Sequence, residues 1–273
     1  IYGDQTLAQK LITAGKPANL IVGGHSHTDL SAATVVGGMT TVMQAYYNGR
    51  RVGRADVTVN PDGTVGVAWT RLSVPTGATD PYDAAIDTLI TSYASDPDYQ
   101  ALINEEIGWT DVPIARNYEG DSLMGYFVND AIYNDLNTDA FSENDVDMVF
   151  NNAGGLRADI ACAAPPCLLT YGTLFSVLPF GNQTIVGDMT GTQILELLNQ
   201  SATLFKGAIQ PAGMRYSFYN YRVWSGTTFR TWAWGAFDAC VIDKTSGTCE
   251  PLDPRKIYRV ATNEFLAPAG QDG

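Results

Sequence analysis

Twice in this chain a short apolar run opens into a glycine-rich loop. Asn19 to Val22 reads as a buried strand and leads into Gly23-Gly-His-Ser-His-Thr28; Asp145 to Phe150 reads as a second and leads into Asn151-Asn-Ala-Gly-Gly-Leu-Arg157. Loops leaving the carboxyl end of a strand are where α/β sheets build ligand sites. An amphipathic stretch precedes each run: residues 5–14, ended by Gly15, and Asp121 to Tyr133, with a capping residue at its start. Strand, loop and helix in alternation restrict the fold class to α/β and α+β.

Between these landmarks, Met39–Ala45, Arg51–Val59 and Thr64–Val74 are rich in β-branched residues and joined by Asn48-Gly and Asn60-Pro-Asp-Gly turns. They predict three antiparallel strands. Pro75 to Asp80 marks a boundary, and Tyr82–Tyr93 follows as a helix with Ile86, Leu89, Ile90 and Tyr93 along it. Thr190-Gly-Thr-Gln193 is a capping box that opens a helix over Ile194–Leu198. Residues 216–238 carry nine aromatics in strand-like spacing, Tyr216, Phe218, Tyr219, Tyr221, Trp224, Phe229, Trp232, Trp234 and Phe237. Aromatics alternating along strands fill a core face more often than they form a binding platform, and the core reading is the expectation here.

At 273 residues, 45% hydrophobic and 16% charged, the chain is long enough for two compact units and too weakly charged to be disordered. Its net charge is −13 and its pI near 4.4. Such a surface repels phosphate backbones, so a nucleic acid polymer is not an expected partner. A small phosphorylated ligand is compatible with it, provided arginines and backbone N–H groups converge in one pocket. No stretch approaches the roughly 20 apolar residues of a membrane span. The start, Ile1-Tyr-Gly-Asp, lacks the pattern of a signal peptide, so the chain reads as soluble or as a form whose targeting segment is gone.

The cysteines fall into two close pairs, Cys162/Cys167 and Cys240/Cys249. Local closure costs the least loop entropy, so two local disulfides, Cys162–Cys167 and Cys240–Cys249, are expected. Zinc is the competing reading, but these gaps do not match paired CxxC knuckles and no histidine lies nearby. Local disulfides favour an extracytoplasmic compartment: secreted, periplasmic or cell surface.

The chain's two histidines, His25 and His27, sit at i and i+2 on the first glycine-rich loop. From there both imidazoles can reach one metal ion. On spacing alone, a pair of solvated loop histidines is an equal reading.

The rest of the chain tips that balance. Gly23-Gly-His-Ser-His-Thr28 resembles the last metal-ligand motif of the calcineurin-like metallophosphoesterase domain in the 5′-nucleotidase family, and Val42-Met-Gln-Ala-Tyr-Tyr-Asn-Gly49 resembles the strand that follows it. Asn151-Asn-Ala-Gly-Gly-Leu-Arg157 resembles that family's Asn-Gly-Gly-Gly-Ile-Arg, with Ala153 in place of a glycine. Leu178-Pro-Phe-Gly-Asn182 and Asn263-Glu-Phe-Leu-Ala-Pro-Ala-Gly-Gln-Asp272 resemble its two nucleoside-contacting segments, the second with one residue extra.

The resemblance implies a role for each matching position. His25 and His27 would be metal ligands. Asn152, the backbone at Gly154, and Arg157 would hold the substrate phosphate. Phe180 and Phe265 would clamp the nucleobase beside Asn182, and Asp272 would accept hydrogen bonds from the ribose. Arg116 is a further candidate phosphate arginine, at a spacing that departs from the family pattern.

It also implies the tail of a metallophosphoesterase α/β sandwich (residues 1–78), a linker helix region (79–106) and a C-terminal nucleotide-binding domain (107–273). The family's other metal and catalytic motifs lie upstream and none is present, so the chain reads as a fragment, with no catalytic residue of its own. In full length the expected activity is hydrolysis of a 5′-nucleotide to nucleoside and phosphate by two divalent ions of the zinc, manganese, cobalt or iron type. The alternative is an inactive nucleotide-binding, surface or filament-forming module. Expected partners are the nucleotide and the missing N-terminal portion, with self-association as a third.

Overall fold

A computed structural model describes residues 2–77, 80–138 and 145–267. The chain divides into two compact units, residues 1–89 and 90–273.

In the first unit, helix α1 (Tyr2–Thr13) precedes a three-stranded sheet of β1 (Leu20–Val22), β2 (Thr34–Val36) and β3 (Thr40–Met43), in the order β1-β3-β2. A hairpin of β4 (Arg51–Val59) and β5 (Val65–Ser73) follows, closed through Asn60 and Gly63. The expected three-stranded antiparallel set is therefore corrected. β3 pairs with β1 in parallel and with β2 antiparallel, and it has no register with β4. Burial explains this. Thr40, Val42 and Met43 are fully enclosed, which suits the centre of a sheet, whereas β4 is largely exposed. Ala8, Val42 and Met43 are the only fully buried apolar residues among those described in this unit, while Val57 and Val59 face outward.

Helix α2 (Ala84–Ala94) crosses the division between units and buries none of its residues. Asp96 then caps α3 (Pro97–Ile103) by accepting from the N–H groups of Asp98 and Tyr99, with proline in the first turn.

The centre of the second unit is a four-stranded sheet, β10 (Gln210–Ala212), β7 (Met148–Asn151), β14 (Ile257–Asn263) and β9 (Thr184–Thr190), in that order. β7 and β14 run parallel, and the outer strands are antiparallel to them. Side chains alternate across the sheet. Met148, Phe150, Tyr258 and Val260 pack with Ile194 and Leu198 of α6 (Gly191–Ser201). Val149 and Ala261 turn the other way, toward Ile132, Tyr133 and Leu136 of α4 (Leu123–Thr138). Ser122 caps α4 by accepting from Gly125 N–H, and the capping box of α6 forms through Thr190 and Gln193. A second pair of strands, β6 (Glu106–Thr110) and β8 (Cys167–Thr170), leads into α5 (Tyr171–Val177).

Both expected disulfides are formed, Cys162–Cys167 and Cys240–Cys249. The second staples β12 (Thr228–Ile242) to β13 (Cys249–Pro251).

The aromatic stretch departs from expectation. β11 (Met214–Ser225) and β12 form a long hairpin as anticipated, and Tyr216 packs into the core. Tyr219, Tyr221, Trp224, Phe229, Trp232, Trp234 and Phe237 are all exposed instead of filling a core face. Two reasons apply. On the face shared with Tyr216 and Asn220, a strand rises roughly 3.4 Å per residue and a helix roughly 1.5 Å, so the hairpin outruns α6 and leaves Trp232 and Trp234 exposed. Tyr219, Tyr221 and Phe237 lie on the opposite face, where they pack on one another. Asn220 donates to the carbonyls of Ala202 and Thr203 at the end of α6, both at 2.9 Å. Beyond that point the rings pack on one another, Trp224 on Phe229 and Phe229 on Trp232, with Arg222 over Trp232.

Candidate functional site

Three segments of the second unit end at one place. β7 terminates at Asn151 and passes into a short 3-10 turn, Ala153–Gly155, with extended backbone at Asn152. α5 ends at Val177 and releases Leu178 to Asn182. β14 ends at Asn263, paired with Thr184 at the start of β9. Together they line a concavity that includes Asn151, Asn152, Gly155, Phe180, Asn182 and Asn263.

The sheet register puts the two phenylalanine segments side by side. Glu264 N–H donates to the Gln183 carbonyl at 2.9 Å, and Gln183 N–H donates to Glu264 Oε1 at 3.2 Å. Phe180 is 59% exposed and Phe265 38% exposed, so each ring has an open face. Asn182 is exposed beside them.

The 152–157 loop is braced on several sides. The Arg157 N–H donates to the Val177 carbonyl at 2.8 Å, its Nη1 donates to Gly154 O at 3.3 Å, and its guanidinium lies 5.7 Å from the centre of the Phe180 ring. Arg157 is solvent-exposed. Arg116 reaches the end of the same loop, donating through Nη1 to Leu156 O at 3.2 Å and through Nε to Asp159 at 2.9 Å. The hydrogen bonds to Asp159 from the Arg116 side chain and from its main-chain N–H hold the Asp159 carboxyl below the usual aspartate range. The Ala153 methyl is buried, and Gly207, at φ +84°, leaves room for it.

None of the residues lining the concavity carries a charge. A larger hollow at the start of α4 and the base of the aromatic hairpin has the opposite character, with Asp121, Asp130 and Asp238 against Arg215. Burial and the hydrogen bond that its hydroxyl donates to Asp121 push Tyr126 there up to about 12. Three carboxylates to one guanidinium oppose a phosphorylated ligand, so the smaller, uncharged concavity is the candidate site.

His25 and His27 belong to the first unit, both exposed and both in the left-handed region, φ 63° and 53°. His27 stacks on Tyr47 at 4.8 Å, with Arg50 over the same tyrosine. Among the described residues no three His, Cys, Asp or Glu side chains converge as a metal site. Two imidazoles do not by themselves fit a two-metal centre, which needs several ligands per ion. Asp272 lies outside the described residues.

Sequence reasoning passed over Asn129, Asn151 and Asn263. Asn129 and Asn151 are buried and Asn263 is partly so; all three are joined by side-chain hydrogen bonds behind the loop. The available signal was Asn151-Asn152 at the end of an apolar strand, where one of two adjacent amides must face inward.

The profile described as "5′-nucleotidase, C-terminal domain" matches residues 101–273. The chain belongs to this 5′-nucleotidase C-terminal domain family. It is 30% identical to the trifunctional nucleotide phosphoesterase protein YfkN of Bacillus subtilis, over 99% of this chain and 18% of that protein. Identity is also 30% to the NAD 5′-nucleotidase of Haemophilus influenzae, over 71% of this chain and 32% of that one. The fold is shared with a 5′-nucleotidase precursor from Thermus thermophilus, at a TM-score of 0.67 and 23% identity, covering 97% of this chain and 57% of that structure. The chain thus spans less than a third of these two curated relatives.

Proposed function

We propose that residues 107–273 are the nucleotide-recognition domain of a 5′-nucleotidase, with 79–106 as a linker and 1–78 as the tail of its metallophosphoesterase domain. The observation that carries this reading is the pairing of Gln183 with Glu264, which brings the chain segment of the half-open Phe265 beside that of Phe180, a ring that lines an uncharged, amide-lined concavity and has the Arg157 guanidinium over it. Two aromatic faces hold a nucleobase with little discrimination among bases. Arg157 is suited to a phosphate, and Asn152 with the backbone at Gly154 to donating hydrogen bonds to its oxygens. Asn182 and Asp272 would contact the nucleoside, and Arg116 would brace the phosphate loop from its far end.

In the full-length protein the reaction is water attack on the phosphate ester of a 5′-nucleotide, giving nucleoside and phosphate. Divalent ions, held mostly by residues outside this chain with His25 and His27 contributing, would supply the Lewis acid. This chain's own part is to hold base and phosphate in register and to neutralise charge as it develops on the phosphoryl oxygens, through Arg157 and Asn152. The two disulfides support an extracytoplasmic location.

The experiment is calorimetric titration of the chain with 5′-AMP, alongside phosphate release by the full-length protein with and without chelator. Binding of 5′-AMP that Arg157→Ala weakens, with release abolished by chelator, supports the reading; absence of binding refutes it. A second reading, a non-catalytic surface module, draws on the exposed aromatic hairpin. Retained binding with no release by the full-length protein would favour it.

A further inference from the structure

The hairpin of β11 and β12 displays aromatic rings on both of its faces. Residues directly opposite in an antiparallel pair share a face, so Asn220 with Trp234, Arg222 with Trp232 and Trp224 with Phe229 stand on one side. Tyr219, Tyr221 and Phe237 stand on the other, and Tyr219 lies across Gly235, where an added Cβ would come within 3.0 Å of its ring. The rings of both sets are exposed. From Asn220, anchored to the end of α6, to the turn at Gly226 the hairpin extends roughly 20 Å, at about 3.3 Å per residue.

Charge sets this segment apart. Residues 216–237 contain Arg222 and Arg230 and no aspartate or glutamate, in a chain of net charge −13. Both arginines are exposed, Arg222 with its guanidinium 5.0 Å from the centre of the Trp232 ring. Acidic side chains return at the base, where Asp238 lines a hollow with Asp121 and Asp130. The hairpin beyond its base is therefore cationic and aromatic.

Whatever covers it must be anionic and must reach both faces at once. A glycan chain or a flat protein surface meets one face and leaves the other in water. A second copy pairing along the open edge of β11 is opposed by that edge, which carries Arg222 and register shifts at Arg215/Ser217 and Val223/Trp224, devices that deter edge pairing. The headgroup layer of a bilayer meets both conditions. It is fluid enough to surround a hairpin, negative where it contains acidic lipids, and the level at which tryptophan and tyrosine rings settle. The open edge of β11 also limits the depth, because unpaired main-chain groups are not tolerated in hydrocarbon.

We propose that the β11–β12 hairpin is a membrane-docking element that seats Trp224, Phe229 and Trp232 in the headgroup layer of an anionic bilayer, with Arg222 and Arg230 on the lipid phosphates. The acidic base stops it there, so the hairpin docks at the surface and does not span. The docking is independent of what the candidate site binds.

The test is co-sedimentation of the full-length protein with vesicles of equimolar phosphatidylglycerol and phosphatidylcholine, and with vesicles of phosphatidylcholine alone, recording tryptophan emission on the same samples. Wild type is expected to bind the anionic vesicles with a blue-shifted emission. It should bind phosphatidylcholine about ten-fold more weakly or worse, since each basic residue near a charged surface is worth roughly five-fold. Arg222→Gln/Arg230→Gln is expected to lose a similar factor on the anionic vesicles with its unfolding midpoint unchanged, and Trp224→Ser/Trp232→Ser to lose both binding and blue shift. The arginine variant removes no ring, so it carries the test if the tryptophan variant fails to fold. No binding to anionic vesicles, equal binding to the two compositions, or binding that both variants leave unchanged would overturn the proposal. So would a lipid-free dimer, or retention on an insoluble polysaccharide, that the tryptophan variant abolishes, because the partner would then be a second copy or a glycan.

Discussion

Gln183 and Glu264 exchange two hydrogen bonds, main chain to main chain at 2.9 Å and main-chain N–H to Glu264 Oε1 at 3.2 Å. This pair continues the β9/β14 ladder one step past Asn263 and sets the spacing of the Phe180 and Phe265 segments. Each ring stacked on a base contributes roughly 1–3 kcal/mol. Phe180→Ala and Phe265→Ala are each expected to weaken 5′-AMP binding by about five- to a hundred-fold, and Glu264→Ala by less, since it removes one of the two hydrogen bonds. Equilibrium titration of the three variants checks the order.

Gly155 is a sharper probe of the loop. A methyl there would sit 3.0 Å from Asn152 Oδ1, close enough that the amide must shift, yet Gly155 is not in the left-handed region where a side chain would strain the backbone. Gly155→Ala is expected to lower nucleotide affinity by about ten-fold while leaving the unfolding midpoint within a few degrees. Gly207→Ala is expected to do the reverse. Its φ of +84° and the Ala153 methyl 3.0 Å from the added carbon make it destabilising by roughly 1–3 kcal/mol. Thermal unfolding alongside titration separates the two.

The apolar periodicity of α4 and α6, the capping box at Thr190, the β4/β5 turn and both disulfides were legible in the sequence because each is decided by residues close in the chain. β3 was misassigned because its partners, β1 and β2, are chosen by burial of Val42 and Met43 rather than by the Asn48-Gly turn beside it. The aromatic hairpin was misjudged for a related reason: alternation marks which residues share a face and says nothing of whether another element is long enough to cover it. At the site, single motif residues were readable, but the asparagine row depends on contacts between residues 22 and 112 positions apart.

Core and hairpin are expected to respond differently to truncation. Ile194 is fully enclosed between α6 and the central sheet, so Ile194→Ala should cost about 2–5 kcal/mol of unfolding free energy. Trp232, larger but 43% exposed, should cost less than about 1 kcal/mol when changed to alanine. Urea denaturation of both variants tests the exposed placement of the hairpin; a tryptophan loss as large as the isoleucine loss would mean those rings are covered.

The disulfides close short loops, with sequence separations of 5 and 9. Loops of this size restrict the unfolded chain by about 2–3 kcal/mol each. Reduction should therefore lower the unfolding midpoint of the second unit by several degrees, most visibly through Cys240–Cys249, which ties β13 to β12. Calorimetric scans with and without reductant, and of a Cys240→Ala/Cys249→Ala variant, measure it.

Acid titration isolates the brace behind the 152–157 loop. Asp159 has its folded pKa lowered by the side-chain and backbone hydrogen bonds from Arg116, so its contribution to stability is fully present above the ordinary aspartate value of about 3.9 and is lost as pH falls through the lower folded value. More than half of the Asp159 side chain is exposed, so solvent screening keeps the effect under about 1 kcal/mol. Asp159→Asn is expected to be slightly less stable than wild type at pH 7, with the difference closing as pH falls below the ordinary aspartate value. Because the same guanidinium holds the Leu156 carbonyl, the variant should also loosen the loop, seen as faster amide exchange at Leu156 and Arg157. Unfolding curves that stay separated at low pH would mean the stabilisation comes from packing rather than from this ion pair.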